Sequence, residues 1–432
     1  MQRKTKELFF KGSLVFFMIL SFGYLFLNES LEAFWLLQAS LSICYFVSLY
    51  LLKDPKINFN NHLKCIFLMA LVTRVPALLS EPFLESDFWR YIWDGHILSN
   101  ALNPYHYLPL DTRLDHLELP FRVQVAHTYH RTIYPPVSQV FFALITTVLG
   151  SSVFVFKMAF TALNFISAFL LVKMSRAKAW VAVAFLFNPL LIKETANSCH
   201  LDALSVFFVV LTFYCFYSKN PKHFRFWPLV LALGVGSKIY PLFFFPFLLK
   251  ASPKKKQNLL FFLGALVLFY LPFVLTSPYV FQSTSYFAKY WSWNALPFDF
   301  LIKFFGVYKA DYVLLVSLAL ICFWALCGFD LKNKNYLSKL LNLFAIALLF
   351  SPVVQPWYLC WILPLAILSQ STQWLLVSSL IMLGYVGSQV GHQTDLFSQN
   401  ILWLEYILIA LALASVKLTQ FLKITKAKTV NH

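Results

Sequence analysis

The sequence predicts an all-α, polytopic membrane protein, and three observations carry that prediction. Hydrophobic residues make up 59% of the 432 and charged residues only 12%, whereas a soluble domain has about 25% charged residues. Apolar runs close to the roughly 20 residues of a crossing helix recur from end to end. The lysines and arginines fall in short clusters between those runs, such as Arg3/Lys4/Lys6/Lys11 and Lys250/Lys254/Lys255/Lys256. Soluble, disordered and disulfide-scaffold chains are excluded together. The formal charge of +17 is the signature of cytoplasmic loops under the positive-inside rule, with no nucleic acid implied.

Taken in order, the apolar spans lie near 8–28, 31–52, 65–80, 134–149, 153–172, 179–196, 200–218, 227–249, 257–277, 311–328, 340–370, 372–389 and 400–420. They predict about 11–13 transmembrane helices in one integral-membrane domain over 1–432. The first run lacks a small-residue cleavage site and is followed by a second, so it reads as a helix and no signal peptide is expected. Two spans look broken. The 227–249 run has Gly234, Gly236, Lys238 and Pro241 at its middle, and the charges around it favour a short two-helix hairpin. The 340–370 run is interrupted by Ser351-Pro-Val-Val-Gln-Pro-Trp-Tyr358. Such backbone is tolerated at membrane depth where it is protein-buried or lines a cavity. The 134–178 region resists assignment, because two crossings would put Lys173–Lys178 outside and one would leave an apolar run unused. The seven cysteines form no CxxC and read as small core residues.

The long polar stretch is 81–133. With a cytoplasmic N-terminus it lies outside, as an extracytoplasmic loop carrying amphipathic juxtamembrane helices. It holds Glu81, Glu85, Asp87, Asp94, Asp111, Asp115 and Glu118, so one face of the protein is chemically loaded. Within it, Ser86 can cap a helix starting at Asp87. At about 100° per residue, Asp87, Arg90, Tyr91 and Asp94 share one face, while Phe88, Trp89, Ile92 and Trp93 share the other. Two carboxylates and a guanidinium would then face one pocket. Asp87, at the loop–helix junction, is the candidate general base for a sugar hydroxyl, and Asp94 and Arg90 hold geometry. An ordinary interfacial helix is the competing reading.

Further candidates follow along the chain. His130, Arg131 and Tyr134, just before Pro135-Pro136, could contact phosphate or sugar, or simply snorkel at the interface. Glu194, His200 and Asp202 lie between two apolar spans, where ionisable groups are costly unless used or paired. His200 and Asp202 are two residues apart and make a poor metal pair, so sugar-hydroxyl binding is favoured. Lys238 sits mid-span, where an unpaired lysine costs about 2.5–3.5 kcal/mol. It needs an anion, either a protein carboxylate or, as favoured here, a ligand phosphate. Gln355, Trp357 and Tyr358 could form a second wall of the same cavity, or belong to an aromatic belt. Nucleotide-binding and common hydrolase motifs are absent.

In order along the chain stand Ser86-Asp-Phe-Trp-Arg-Tyr-Ile-Trp-Asp-Gly, Asn103-Pro-Tyr105, Tyr134-Pro-Pro136, Asn188-Pro189, His200-Leu-Asp202, Lys238-Ile-Tyr-Pro241 with Tyr240, and Ser351-Pro…Pro356-Trp-Tyr358. This series resembles the GT-C class of integral-membrane glycosyltransferases, most closely the polyprenol-phosphate-mannose-dependent mannosyltransferases. The resemblance implies a polyprenyl-phosphate sugar donor, inverting transfer to a lipid or glycan acceptor, and an active site on the non-cytoplasmic face. It also implies a multi-pass protein of the bacterial inner membrane or an equivalent bilayer. An acidic base in the first large outer loop maps to Asp87. The family's Asp-x-Asp pair is here Glu85-Ser-Asp87, a departure that leaves open whether a divalent ion such as Mg or Mn is used. A transporter or flippase of lipid-linked sugars is the principal alternative, and it would line both halves of a path with ionisable groups.

Overall fold

The computed structural model describes residues 2–27, 30–53, 59–117, 121–306, 336–385 and 396–429. The expected span at 311–328 and the end of that at 372–389 lie outside the described residues. Within them the protein is all-helical, with one isolated parallel bridge, Trp293–Val353, and no strand. The helices that build the site are α1 (Gln2–Ser21), α2 (Leu31–Leu51), α3 (Leu63–Leu79), α4 (Phe88–Ser99), α5 (Pro136–Leu149), α6 (Val153–Met174), α7 (Lys178–Leu186), α8 (Pro189–Ile192) and α9 (Asp202–Tyr217).

Among the described residues, five helices are long and apolar enough to cross a bilayer. The pair made by Lys178–Leu186 and Pro189–Asn197, bent by 51°, would make a sixth. Other apolar helices, including α5, α9 and Tyr336–Leu349, are shorter, so length alone does not reach the expected number of crossings. The chain is nonetheless an integral membrane protein: its long helices carry leucine, phenylalanine and valine on outward faces with no protein cover, a surface that suits lipid.

The bent pair occupies the centre. Nearly every side chain from Ala179 to Val206 is buried, as expected of a helix hydrophobic all round. Its break is written locally. Asn188 caps the second half by accepting from Leu191 N at 3.1 Å, and Pro189 takes the first helical position, where a missing N–H does no harm. The second half then widens into a π-turn, Lys193–Asn197, a feature common at functional sites.

The unassigned 134–178 region resolves into two unequal helices. Helix α6 spans 22 residues, whereas α5 has 14 and reaches about 21 Å at 1.5 Å per residue, short of a roughly 30 Å hydrocarbon core. Helix α5 packs along α4. The apolar side of α4 is therefore covered by protein: Ile92, Trp93 and Ile97 are fully buried, and Trp93 and Ile97 meet Leu114 and Val125 of the loop. The two broken spans are both interrupted where expected. The 340–370 run is interrupted as expected, and its freed backbone is satisfied by Trp293, which donates to Pro352 O (3.1 Å) and accepts from Val354 N (2.9 Å). The 227–249 run breaks at Lys238, between Trp227–Ser237 and Tyr240–Phe244. The chain reverses there, as the expected hairpin requires: a Cβ on Gly234 would stand 3.4 Å from Pro241 Cβ, and the Trp227 ring lies 6.2 Å from that of Phe245.

Gly95 sets the α4–α5 approach. A Cβ there would stand 2.6 Å from Thr146 Oγ1 and 2.7 Å from Phe142 O. Because one obstacle is backbone, the helices would have to separate. Gly95→Ala should destabilise the protein by about 1–3 kcal/mol, read as a lower melting temperature in detergent. Gly264→Ala, whose Cβ meets nothing within 4 Å, should leave the melting temperature unchanged or slightly raised.

Candidate functional site

Three polar segments meet where α4 begins, where the central π-turn ends and where the Trp227–Ser237 helix breaks. The first is held by the second. Asn197 Nδ2 donates to Ser80 Oγ (2.8 Å) and Glu81 O (2.9 Å), and its Oδ1 accepts from Phe83 N (3.1 Å). Ser198 Oγ donates to Phe83 O at 3.1 Å, and Lys157 Nζ to Ser80 O at 2.6 Å. Leu84 and Cys199, each just before a site residue, have φ of 63°. Left-handed backbone is costly for such residues and tends to gather at functional sites.

Glu85 and His200 follow those two strained positions. His200 Nε2 lies 3.6 Å from both Glu85 Oε2 and Glu194 Oε2. Its ring stacks on Trp357 at 4.1 Å, and Nδ1 is 3.5 Å from Tyr91 OH. Glu194 is fully buried. It accepts from Tyr385 OH at 2.6 Å and pairs with Lys193 at 3.4 Å, whose ammonium also lies over the Tyr385 ring. Burial pushes the Glu85 carboxyl up, with the His200 hydrogen bond opposing. Burial works to lower His200, but Glu85, Glu194 and Asp202 together raise it above its ordinary value.

Asp87 is half-buried. The helix expected to begin there under a Ser86 cap begins instead at Phe88, and Asp87 occupies the cap position without making a cap bond. Its Oδ2 accepts from Tyr134 OH at 3.1 Å, which turns the carboxylate away from the helix end. Tyr134 also packs edge-to-face on Tyr91 at 5.1 Å.

Asp94 does not share that pocket. It is fully buried, accepting from Arg90 Nε (3.0 Å), Gln139 Nε2 (2.9 Å) and Thr132 Oγ1. Arg90 also donates to His130 O at 2.9 Å. The pair thus ties α4 to the far end of the loop. Arg131 is engaged elsewhere: it donates to His106 O (3.2 Å) and Gln282 Oε1 (2.8 Å) and covers the Tyr279 ring. The His130 ring meets Tyr286 at 4.7 Å.

Lys238 has a protein partner. Its Nζ donates to both oxygens of Asp202 at 2.8 Å, and Trp361 Nε1 donates to Asp202 as well. Of the two anions considered for Lys238, the structure supplies the carboxylate. Tyr240, Trp361 and Tyr358 form a ring stack, Tyr240–Trp361 at 4.2 Å and Tyr358–Trp361 at 4.1 Å, and Lys238 lies 5.1 Å from the Tyr358 ring. Gln355 opens this turn, its carbonyl accepting from Tyr358 N at 3.0 Å.

Glu85, Asp87, Tyr91, Tyr134, Glu194 and His200 are thus linked directly, with Trp357 beside them, and Asp202, Lys238, Tyr240 and Tyr358 form the adjoining wall. Arg90, Asp94, His130 and Arg131 stand apart as loop anchors. Sequence reasoning missed Lys193, Asn197, Trp361 and Tyr385. Lys193 carried a usable signal, a lysine within an apolar span. Among the described residues no three His, Cys, Asp or Glu side chains converge as metal ligands. Glu85 turns to His200 and Asp87 to Tyr134, so the pair makes no shared ligand set. The Lys193 ammonium lies within the acid cluster, against Glu194.

A family model described as MptA_B family, alpha-(1->6)-mannopyranosyltransferase, N-terminal domain, matches residues 16–253, more than half of the 432. No curated protein and no solved structure gives a significant match. The matched segment contains Glu85, Asp87, Glu194, His200, Asp202 and Lys238, while the Trp357–Trp361 wall and Tyr385 lie beyond it.

Arg90→Met should leave the Asp94 charge buried without its cation and destabilise the protein by about 3–5 kcal/mol, with faster tryptic cleavage at Arg113 and Arg122. The raised His200 pKa favours its protonated form in the fold. Its stabilisation is complete below the ordinary value of 6.5 and is lost as pH rises through the raised one. Melting temperature should therefore fall as pH rises above 6.5, and His200→Gln should flatten that dependence.

Proposed function

Because this chain belongs to the alpha-(1->6)-mannopyranosyltransferase family, we propose that it transfers mannose from a polyprenyl-phosphate donor to a lipid or glycan hydroxyl on the non-cytoplasmic face, by a GT-C type mechanism with inversion. Membership of a transferase family sets aside the transporter reading. The observation that carries the mechanism is the Asp87 carboxylate, half-buried, free of the helix cap and oriented by Tyr134.

In this reading the acceptor hydroxyl approaches Asp87 and attacks the anomeric carbon from the side opposite the phosphate. The new C–O bond forms as the bond to phosphate breaks, and the electron pair leaves with the lipid phosphate. Asp87 Oδ2 takes the hydroxyl proton. Tyr134 OH fixes the carboxylate and withdraws one lone pair, so that the proton is taken along a defined direction. Glu85 accepts hydrogen bonds from sugar hydroxyls, His200, backed by Trp357, orients Glu85, and the buried Glu194 lies behind His200.

Lys238 serves the leaving phosphate. An ammonium has three donors, two of which Asp202 occupies. The side chain is 18% exposed, which leaves the third donor for an anion. Negative charge grows on the phosphate as its bond breaks, and a fixed cation stabilises that state more than the ground state. The outer placement rests on the acids of 81–133 opposite basic clusters in the other connections.

The test uses purified protein in nanodiscs with radiolabelled polyprenyl-phosphate mannose and a membrane-lipid acceptor pool. Asp87→Asn should lower transfer by about 10²- to 10⁴-fold while donor binding and melting temperature stay near wild type. A variant that retains most of its transfer would remove Asp87 from the role.

A further inference from the structure

At the end of the bundle away from the site, α1 and α2 part to leave a groove of about 510 Å³ between Leu8, Phe9, Gly12 and Phe16 on one side and Val47 and Leu51 on the other. Sites for small ligands span about 300–1,000 Å³. Two ring contacts fix its place. Phe10 meets Phe59, just before α3, at 4.8 Å, whereas Phe34 meets Phe83, just before α4, at 5.3 Å. The groove therefore lies at the end of α1–α3 opposite the one that carries Asp87.

Its walls are hydrocarbon. Ser13 Oγ, the one side-chain polar atom of the lining, donates to Phe10 O at 2.8 Å and lies 2.8 Å from Ser48 Oγ, so it is already engaged. Gly12 opens the floor: a Cβ there would meet nothing within 4 Å. The rims stand proud of it, with Leu8 70% and Phe9 65% exposed. Both helices are long and apolar enough to cross a bilayer, so the groove faces lipid tails and is shaped for one acyl chain.

The mouth is basic. One turn before Leu8 and Phe9, the lining side of α1 reaches Thr5, with Lys4 and Lys6 to either side. Across the gap, Lys53 closes α2 two residues beyond Leu51, its N–H donating to Tyr50 O at 3.1 Å. Lys4 and Lys53 are exposed. Of the nearby acids, Glu7 falls on the far side of α1, and Asp54 lies outside the described residues. The dipoles of α1 and α2 run in opposite senses and offset each other at the mouth, so the lysines set its sign. Such clusters beside a membrane helix attract anionic lipids. A zwitterionic headgroup brings an ammonium that the same lysines repel.

We infer that the α1–α2 groove binds an anionic phospholipid of the leaflet opposite the 81–133 loop, one acyl chain laid along Gly12 and the phosphate held at Lys4 and Lys53. This lipid is distinct from the proposed donor, whose phosphate meets Lys238 at the other end of the bundle, and the inference does not draw on the transferase reading.

The experiment counts retained lipid by native mass spectrometry. Full-length protein, delipidated in detergent, is titrated with phosphatidylglycerol or with phosphatidylcholine. Wild type should hold one phosphatidylglycerol about tenfold more tightly than phosphatidylcholine. Lys4→Gln with Lys53→Gln should bring phosphatidylglycerol down to the phosphatidylcholine level. Gly12→Leu, which fills the groove, should weaken phosphatidylglycerol about tenfold, whereas Gly264→Leu, at a comparably open position of the Lys255–Thr276 helix, should bind as wild type does. Equal retention of the two lipids by wild type, or full retention of phosphatidylglycerol by Gly12→Leu, would assign the lipid to the general annulus and overturn the site. So would an undiminished preference for phosphatidylglycerol in the double lysine variant. A wild-type dimer that Gly12→Leu dissociates would make the groove a contact between two copies and overturn it as well. Melting curves confirm folding, and the lysine variant changes only exposed side chains, so it decides the matter even should Gly12→Leu fail to fold.

Discussion

The molecule is organised around a polar break in a helix that lies entirely inside a membrane bundle. At the centre of the chain, the Lys178–Asn197 element bends by 51° and ends in a π-turn. Water cannot reach it, so every backbone group it frees and every charge it carries must find a protein partner. Asn188 supplies one cap and Asn197 binds the start of the 81–133 loop. Lys193 and Tyr385 engage Glu194, and His200 stands 3.6 Å from it. Remote segments therefore converge there: the loop before α4 and the turn at Pro356–Trp361 meet the middle of the chain because its ionisable groups admit no other solution at acceptable cost.

The 81–133 loop is ordered by a second, independent buried charge. Asp94 draws Arg90, Thr132 and Gln139 onto α4, and α4 lies on α5 through the gap left by Gly95. This arrangement sets the position of Tyr134, and through it the carboxylate of Asp87. Two networks thus meet at α4. One comes from the bundle core by way of Glu85 and His200, the other from the loop by way of Arg90 and Asp94. Neither Asp87 nor Glu85 is positioned by its own helix alone.

Much of this was legible from residue chemistry. Lys238 and His200 stood out because ionisable groups in apolar surroundings need partners, and the interruptions near 238 and 351–358 followed from glycine and proline placement. The pairing partners were less legible. Tyr385 lies far along the chain from Glu194, and nothing in a one-dimensional pattern joins them. A helix-wheel view put Asp87 and Asp94 in one pocket, but the loop returned to enclose Asp94 and left Asp87 to Tyr134. The 134–178 puzzle arose from assuming that each apolar run crosses. Helix α5 packs one face on α4, leaves Val140, Leu144 and Val148 exposed on another, and at 14 residues is shorter than a crossing helix. The hairpin at 227–249, by contrast, was legible from the basic clusters on either side of it, and Lys238 at its turn is accommodated by Asp202.

The Lys238–Asp202 pair also bears on turnover. A lysine whose charge is already offset by a carboxylate at 2.8 Å attracts an incoming anion less strongly than a solitary ammonium would. Asp202 is itself restrained by Trp361 and does not swing aside as a loose surface acid could. An anion arriving at Lys238 therefore meets a moderated field, strong enough to orient it and too weak to trap it. Under the proposed transfer from a lipid phosphate, such a moderated cation guards against product inhibition, and the escape of the spent carrier becomes as much a property of Asp202 as its capture is of Lys238.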